Sequence, residues 1–224
     1  MRNLKPLVII LGAALAAGIA LAAAGMLYTN FPDRYGLARV AETRSTAYDH
    51  AMLKLTELWS NENYLETSIP IVAHGDDRAY AWLESSAKAM AVSEAFVSSL
   101  KYIVGRRRPD GELDRNNSSF PSSHASSAFA FATTLAMHYP ELGPKAFEMA
   151  FFVSISRVYL ERHYISDIIG GAAIGTASAL WSETYLSWLH FDRRILLDIL
   201  LFASGTGQPA EIETPLFRTP AQDE

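Results

Sequence analysis

Helical runs closed by glycine or proline succeed one another along most of this 224-residue chain, and that punctuation limits the possible folds more than any other feature. Tyr80 to Val104 carries Ala89, Val92, Phe96, Leu100 and Ile103 at steps of three and four, the spacing of one helix face. Gly105 and then Pro109 follow in the order expected of a helix stop. Upstream, Tyr35 to Asn61 places Leu37, Val40, Ala47, Met52, Leu55 and Leu58 at irregular helical intervals, and Asn63 to Asp77 reads as a loop. Ser122 is positioned to cap a helix from Ser123 to about His138, which Pro140 and Gly143 end. Lys145 to Leu160 and Ser166 to Leu189 read as two more helices, and Gly170, Gly171 and Gly175 in the second permit a close neighbour. A short last helix is expected from Arg193 to Phe202. No strand alternation or repeat period interrupts this series, so the expected class is all-α, a helical bundle over residues 35–204. Residues 205–224, with Pro209, Pro215 and Pro220, read as a mobile tail.

Composition removes several function classes. Half of the residues are hydrophobic and 19% are charged, which excludes a wholly disordered chain. Lys and Arg number 19 against 24 Asp and Glu, so nucleic acid is not expected as a partner. The lack of cysteine removes disulfides, thiolate metal sites and cysteine nucleophiles together.

The amino terminus bears on location. Arg2 and Lys5 precede an uncharged apolar run from Pro6 to Tyr28, and small residues (Ala22, Ala23, Ala24, Gly25) lie near its end. Residues 1–28 therefore read either as a cleaved signal peptide or as an uncleaved signal anchor. A buried cytosolic helix fits poorly, because no polar residue marks a solvent face. For a bacterial chain both leading readings put the remainder in the periplasm, free or anchored to the inner membrane. The later helices carry charges such as Glu84, Lys88, Glu94, Asp167 and Glu183, a density that favours a water-soluble body over a membrane-embedded one.

Three short constellations carry chemistry. Lys101, Arg106, Arg107 and Arg108 crowd one helix end, where cations suit the helix dipole. Phe120-Pro121-Ser122-Ser123-His124 opens a helix, and hydroxyls with free N–H groups there make an anion site beside a proton donor. Ser156-Arg157, His163 and Asp167 form the third, in which a carboxylate four residues after a histidine can reach the imidazole and hold its tautomer. Each alone has a plain reading as a basic turn, a serine cap or an exposed His–Asp pair. Together they offer what a tetrahedral oxyanion needs: guanidinium forks, a compact ammonium, neutral donors and two imidazoles.

In this order and spacing the motifs resemble the signature of the type 2 phosphatidic acid phosphatase superfamily. That group contains bacterial acid phosphatases, lipid phosphatases and vanadium haloperoxidases. The match runs from Lys101 through Arg108-Pro109 and Pro121-Ser122-Ser123-His124 to Arg157, His163 and Asp167. The resemblance implies a helical bundle and a nucleophilic His163 that forms a phosphohistidine, with Asp167 as its orienting carboxylate. It implies His124 as general acid and then base, and Lys101, Arg108, Ser122, Ser123 and Arg157 as phosphate ligands. Ser123 stands where the family usually has glycine, and it keeps the N–H if its backbone is not left-handed. No metal or other cofactor is implied.

The expected activity is hydrolysis of phosphate mono- or diphosphate esters, of a phosphorylated lipid or a soluble molecule. A vanadate-dependent haloperoxidase and a noncatalytic phosphate- or phospholipid-binding membrane protein are the alternatives. Arg106 and Arg107 are expected in solvent; His50, His74, His138 and His190 as packing or surface residues; and Trp82, Trp181 and Trp188 in the bundle core. Trp59 is a weak candidate for lipid contact.

Overall fold

The computed structural model describes residues 31–57, 68, 76–192, 196 and 217–218. Within them lie six helices: α1 (Phe31–Thr43), α2 (Thr46–Glu57), α3 (Asp77–Val104), α4 (Ser123–His138), α5 (Gly143–Tyr159) and α6 (Ile165–Tyr185). One antiparallel pair of two-residue strands joins β1 (His190–Phe191) to β2 (Phe217–Arg218), the latter within the segment read as a tail. The class is all-α. The proposed signal or anchor, His74, Trp59 and most of the Arg193–Phe202 segment lie outside the described residues.

Local chemistry explains the boundaries. Asp76 caps α3 by accepting from the Ala79 N–H at 2.7 Å, and Gly105 ends that helix in the left-handed region at φ 57°. Ser122 caps α4, which spans the expected Ser123–His138. Pro144 in the first turn of α5 needs no N–H donor there. The single helix expected from Tyr35 to Asn61 is instead two, broken at Arg44 and Ser45. Ser45 takes over both ends of that break: its hydroxyl accepts from the Tyr48 N–H, and its own N–H donates to the Tyr159 hydroxyl.

Helix α4 is the hub, packed by α3, α5 and α6, while α1 and α2 lie against α5. The main core joins Trp82 and Leu83 of α3, Phe131 and Leu135 of α4, and Ala150 and Val153 of α5. Trp82 meets Phe131 edge-on, with ring centroids 5.4 Å apart. The α4–α6 crossing is the closest. A methyl group on Gly175 would stand 1.9 Å from the Ser126 carbonyl oxygen, so no other residue fits without parting the helices.

The expected α3 face is met only in part: Ala89 is fully buried and Val92 and Leu100 half-buried. Phe96 and Ile103 of the α3 stripe are 52% and 71% exposed, while Ser86, Ser93, Val97 and Lys101 point inward. Hydroxyl pairs between helices account for the difference: Ser93 bonds Ser126, and Ser86 bonds Thr134 at 2.7 Å. Trp82 is buried as expected, but Trp181 and Trp188 are exposed rather than core residues. Among the described residues no helix is long and apolar enough to cross a membrane.

Candidate active site

The expected site residues come from six places in the fold. Lys101 is in the last turn of α3, Arg108 in the loop after it, and Ser122, Ser123 and His124 at the start of α4. Arg157 is in the last turn of α5, His163 in the turn after it, and Asp167 in the first turn of α6. Lys101, Arg108, Ser122, His163 and Asp167 are all buried. Helix α4 directs its positive end at this point, and α3 and α5 bring cations on their negative ends. His124 feels the charges of Arg157, His163, Lys101 and Arg108 together, so the three motifs converge.

The cations are held by neutral oxygen. Lys101 Nζ donates to the Ser118 carbonyl at 2.6 Å. Arg108 donates to the carbonyls of Asn117 and Arg162, each at 3.1 Å, and to Asn117 Oδ1 at 2.7 Å. Its nearest carboxylate, Glu112, is 3.7 Å away and half-exposed. Arg157 donates to Thr56 Oγ1 of α2 at 2.8 Å, and its Nε is buried with no hydrogen-bond partner among the described residues. Burial and mutual repulsion lower all three. Lys101 falls to about 8, chiefly by burial and then by Arg108; Arg157 falls to about 10, by burial and then by Arg108 and Arg162. Burial also lowers Arg108, with Arg162 adding to the effect.

Neutral donors complete this cluster. The Ser122 N–H donates to the Asp167 carbonyl at 3.1 Å, and Ala125 N–H to Ser122 Oγ at 3.4 Å. That leaves the Ser123 and His124 N–H groups, the first two in the helix, without an acceptor inside it. Ser123 is in the right-handed helix, so the residue that stands in place of glycine keeps its N–H available.

His163 has the expected Asp167 nearby and a closer partner that the sequence did not suggest. Its Nδ1 lies 2.7 Å from the Ser119 carbonyl oxygen and 3.8 Å from Asp167 Oδ2. A carbonyl only accepts, so Nδ1 carries the proton and Nε2 keeps its lone pair. Asp167 acts at one remove: Ser119 Oγ donates to Asp167 Oδ2 at 2.5 Å, while Ser119's carbonyl holds the imidazole. The Tyr164 N–H donates to the same Oδ2 at 2.8 Å. Burial favours the neutral acid of Asp167, yet His163, Arg106 and Ser119 Oγ outweigh it and hold the carboxyl below its usual value.

Burial and the neighbouring cations favour the neutral form of both histidines. Burial lowers His163 to about 4, with Lys101 and Arg108 helping and Asp167 opposing. Burial and then Arg157 lower His124 to about 3.

Arg106, expected in solvent, is instead paired. It donates through Nη1 to Asp167 Oδ1 at 2.6 Å and Ser166 Oγ at 2.7 Å, and through Nη2 to Asp33 Oδ2 at 2.7 Å. Its guanidinium also covers the Tyr164 ring at 4.1 Å. Sequence reasoning missed Asp33, Ser119 and Thr56, and only Ser119, one residue before the Phe120 motif, carried a local signal. Arg107 is exposed as expected, as is His50. His190 reaches Glu84 at 3.1 Å from the surface, and burial lowers half-buried His138.

Residues 85–191 match the model of the PAP2 superfamily, a span that includes every expected site residue. Over that span, just under half of the chain, the sequence is similar to the superfamily. A lipid A 1-phosphatase of Porphyromonas gingivalis is 38% identical over 105 residues, 44% of this chain and 23% of that protein. The bacitracin transport permease protein BcrC of Bacillus licheniformis is 34% identical over 77 residues, 33% of this chain and 38% of that one. The chain thus aligns with well under half the length of these curated relatives. Among solved structures, a transmembrane PAP2-type phosphatidylglycerolphosphate phosphatase from Bacillus subtilis superposes with a TM-score of 0.62 at 23% identity, covering 78% of this chain and 95% of that one. Aquifex aeolicus LpxE gives 0.57 at 22% identity, covering 66% and 93%. Both likenesses show the fold.

Proposed function

We propose that this protein is a metal-independent phosphatase that cleaves phosphate esters through a phosphohistidine. The observation that carries the reading is a cluster of buried Lys101 and Arg108 with half-buried Arg157, whose close partners are neutral oxygens, with Arg157 Nε unpartnered among the described residues. Buried cations of this kind need an anion, and a phosphoryl group fits their forks and the Ser123 and His124 N–H groups. In the proposed reaction His163 Nε2 attacks phosphorus, the P–O ester bond breaks, and His124 gives its proton to the departing oxygen. His124 then takes a proton from water, whose oxygen attacks the phosphohistidine and releases phosphate and neutral His163.

A lipid phosphate is the favoured substrate class. Tyr102, Ile103 and Val104, directly after Lys101, are 60%, 71% and 39% exposed, an apolar rim beside a phosphate site. The relatives named as lipid phosphatases agree with this class. We place the site on the periplasmic face of the inner membrane, following the export signature of residues 1–28. Hydrolysis of p-nitrophenyl phosphate in EDTA, then of phosphatidate, phosphatidylglycerophosphate, undecaprenyl diphosphate and lipid A phosphate, tests the reading. Turnover should survive chelation, vanish in His163→Ala and be fastest on a lipid. Full turnover in His163→Ala would overturn the mechanism, and preference for the soluble ester would overturn the substrate class.

A further inference from the structure

Asp33 belongs to α1, the helix that begins just after the amino-terminal apolar run, far in sequence from the three motifs. It is nevertheless 1% exposed, and both of its oxygens are used. Oδ1 accepts from the Ser166 N–H at 3.0 Å; Oδ2 accepts from Ser166 Oγ at 2.8 Å and from Arg106 at 2.7 Å. Arg106 bridges Asp33 to Asp167, and the Ser119 N–H donates to the Arg106 carbonyl at 2.8 Å. Arg106 therefore holds both routes to His163: the carboxylate through its guanidinium, and the peptide carbonyl of Ser119 through its own backbone.

We infer that Asp33 and Arg106 are positioning residues that set the orientation and basicity of His163 through Asp167 and Ser119. This rests on His163 being the nucleophile. Two carboxylates share one guanidinium, so the group carries one net negative charge beside the imidazole. Removing the Arg106 cation leaves Asp167 uncompensated and favours protonated His163. Removal of the Asp33 anion leaves Arg106 free to neutralise Asp167, which favours neutral His163. The other charges facing His163 are Lys101 of α3, Arg108 of the following loop and His124 of α4, with Arg157 of α5 beyond, and none changes in these variants.

The test is a histidine NMR titration of His163 together with the pH dependence of kcat/KM, in wild type, Asp33→Asn, Arg106→Gln and the double variant. His163 should titrate about one pH unit higher in Arg106→Gln and lower in Asp33→Asn, and return toward wild type in the double variant. The limb of kcat/KM that His163 sets should follow the same order, with kcat falling more than KM rises. If Arg106→Gln does not fold, Arg106→Lys supplies the comparison: it keeps the charge but loses the fork, so kcat should fall while the His163 titration stays put. Unmoved His163 titrations in folded Asp33→Asn and Arg106→Gln, or shifts of the same sign in the two, would overturn the inference, as would an unchanged kcat in Arg106→Lys. The NMR signal requires no turnover, so inactivity of the wild type on every phosphate ester would count against the proposed function alone.

Discussion

Replacing Lys101 with methionine should stabilise the ligand-free protein while destroying its response to phosphate. The side chain is 5% exposed and its ammonium falls from 10.5 to about 8, through burial first and Arg108 second. At about 1.4 kcal/mol per pH unit, keeping that cation charged at pH 7 costs the fold about 3 kcal/mol. Methionine removes this cost but also loses the 2.6 Å bond to the Ser118 carbonyl, a loss of about 1–2 kcal/mol. The net expectation is a gain of about 1–2 kcal/mol in phosphate-free buffer. The sign with pH follows: because the folded value lies below the unfolded one, wild-type stability should rise between about pH 8 and 10.5, where only the unfolded chain still binds the proton. Lys101→Met should lack this rise, and the difference between the two proteins cancels the tyrosines that titrate nearby. Inorganic phosphate at ten times its Kd should add about 1.4 kcal/mol to wild type and little to the variant. Denaturant unfolding followed by circular dichroism, with and without phosphate, measures all three effects. A variant less stable than wild type in phosphate-free buffer, with wild-type stability flat above pH 8, would refute the reasoning.

Gly175→Ala should cost about 3 kcal/mol and lower Tm by roughly 10 °C, because the new methyl meets the Ser126 backbone rather than a side chain that can turn away; a calorimetric Tm within two or three degrees (~1 kcal/mol) of wild type would contradict the crossing. Ser119→Ala keeps the carbonyl that holds His163 and loses only the bond to Asp167, so kcat should fall about tenfold with KM unchanged in steady-state assays. In the free enzyme His163 is neutral only above about 4 and His124 charged only below about 3, so kcat/KM should be greatest in acid. A bound phosphate dianion offsets the cations and raises both histidines, which should move the kcat profile to higher pH; coincident profiles would argue against it. Thr56→Val should raise KM for phosphate esters by severalfold, about 1 kcal/mol, because Arg157 loses its 2.8 Å anchor on α2.

What could be read from the chain alone was whatever depended on neighbours in sequence. The cap at Ser122 and the stop at Gly105 are local backbone events, and both ends stand where they were expected. The convergence of the cations and histidines was legible for a related reason: each motif is short, and the order of the resembled signature supplied the long-range pairing. The face of α3 was not legible, because hydropathy rewards Phe96 and Ile103 whereas the bundle selects Ser93 for its bond to Ser126. The same limit hid Arg106. Three adjacent arginines look alike in sequence, yet one is exposed, one lies among neutral oxygens and one is locked between two carboxylates. That division depends on Asp33, more than seventy positions away, and no spacing rule reaches so far.

Two sets of buried charge thus lie side by side with opposite logic. Asp33, Arg106 and Asp167 satisfy one another, and their oxygens are filled further by Ser166, Ser119 and Tyr164. Such a group is costly to break but asks nothing of a ligand. Lys101, Arg108 and Arg157 have neutral oxygens as their close acceptors, with Glu112 farther from Arg108 at 3.7 Å, feel repulsion from other cations, and leave a nitrogen of Arg157 unpaired among the described residues. This set lies around His124 and His163, which in the proposed reaction exchange protons in different states. An arriving phosphate would relieve the repulsion and raise both imidazoles at the moment one of them has to be charged. The self-contained set would meanwhile keep His163 aimed, since its bonds do not depend on whether the site is filled. In the proposed reaction binding and proton supply would be one electrostatic event, and orientation of His163 would be left to a part of the fold outside the cation cluster.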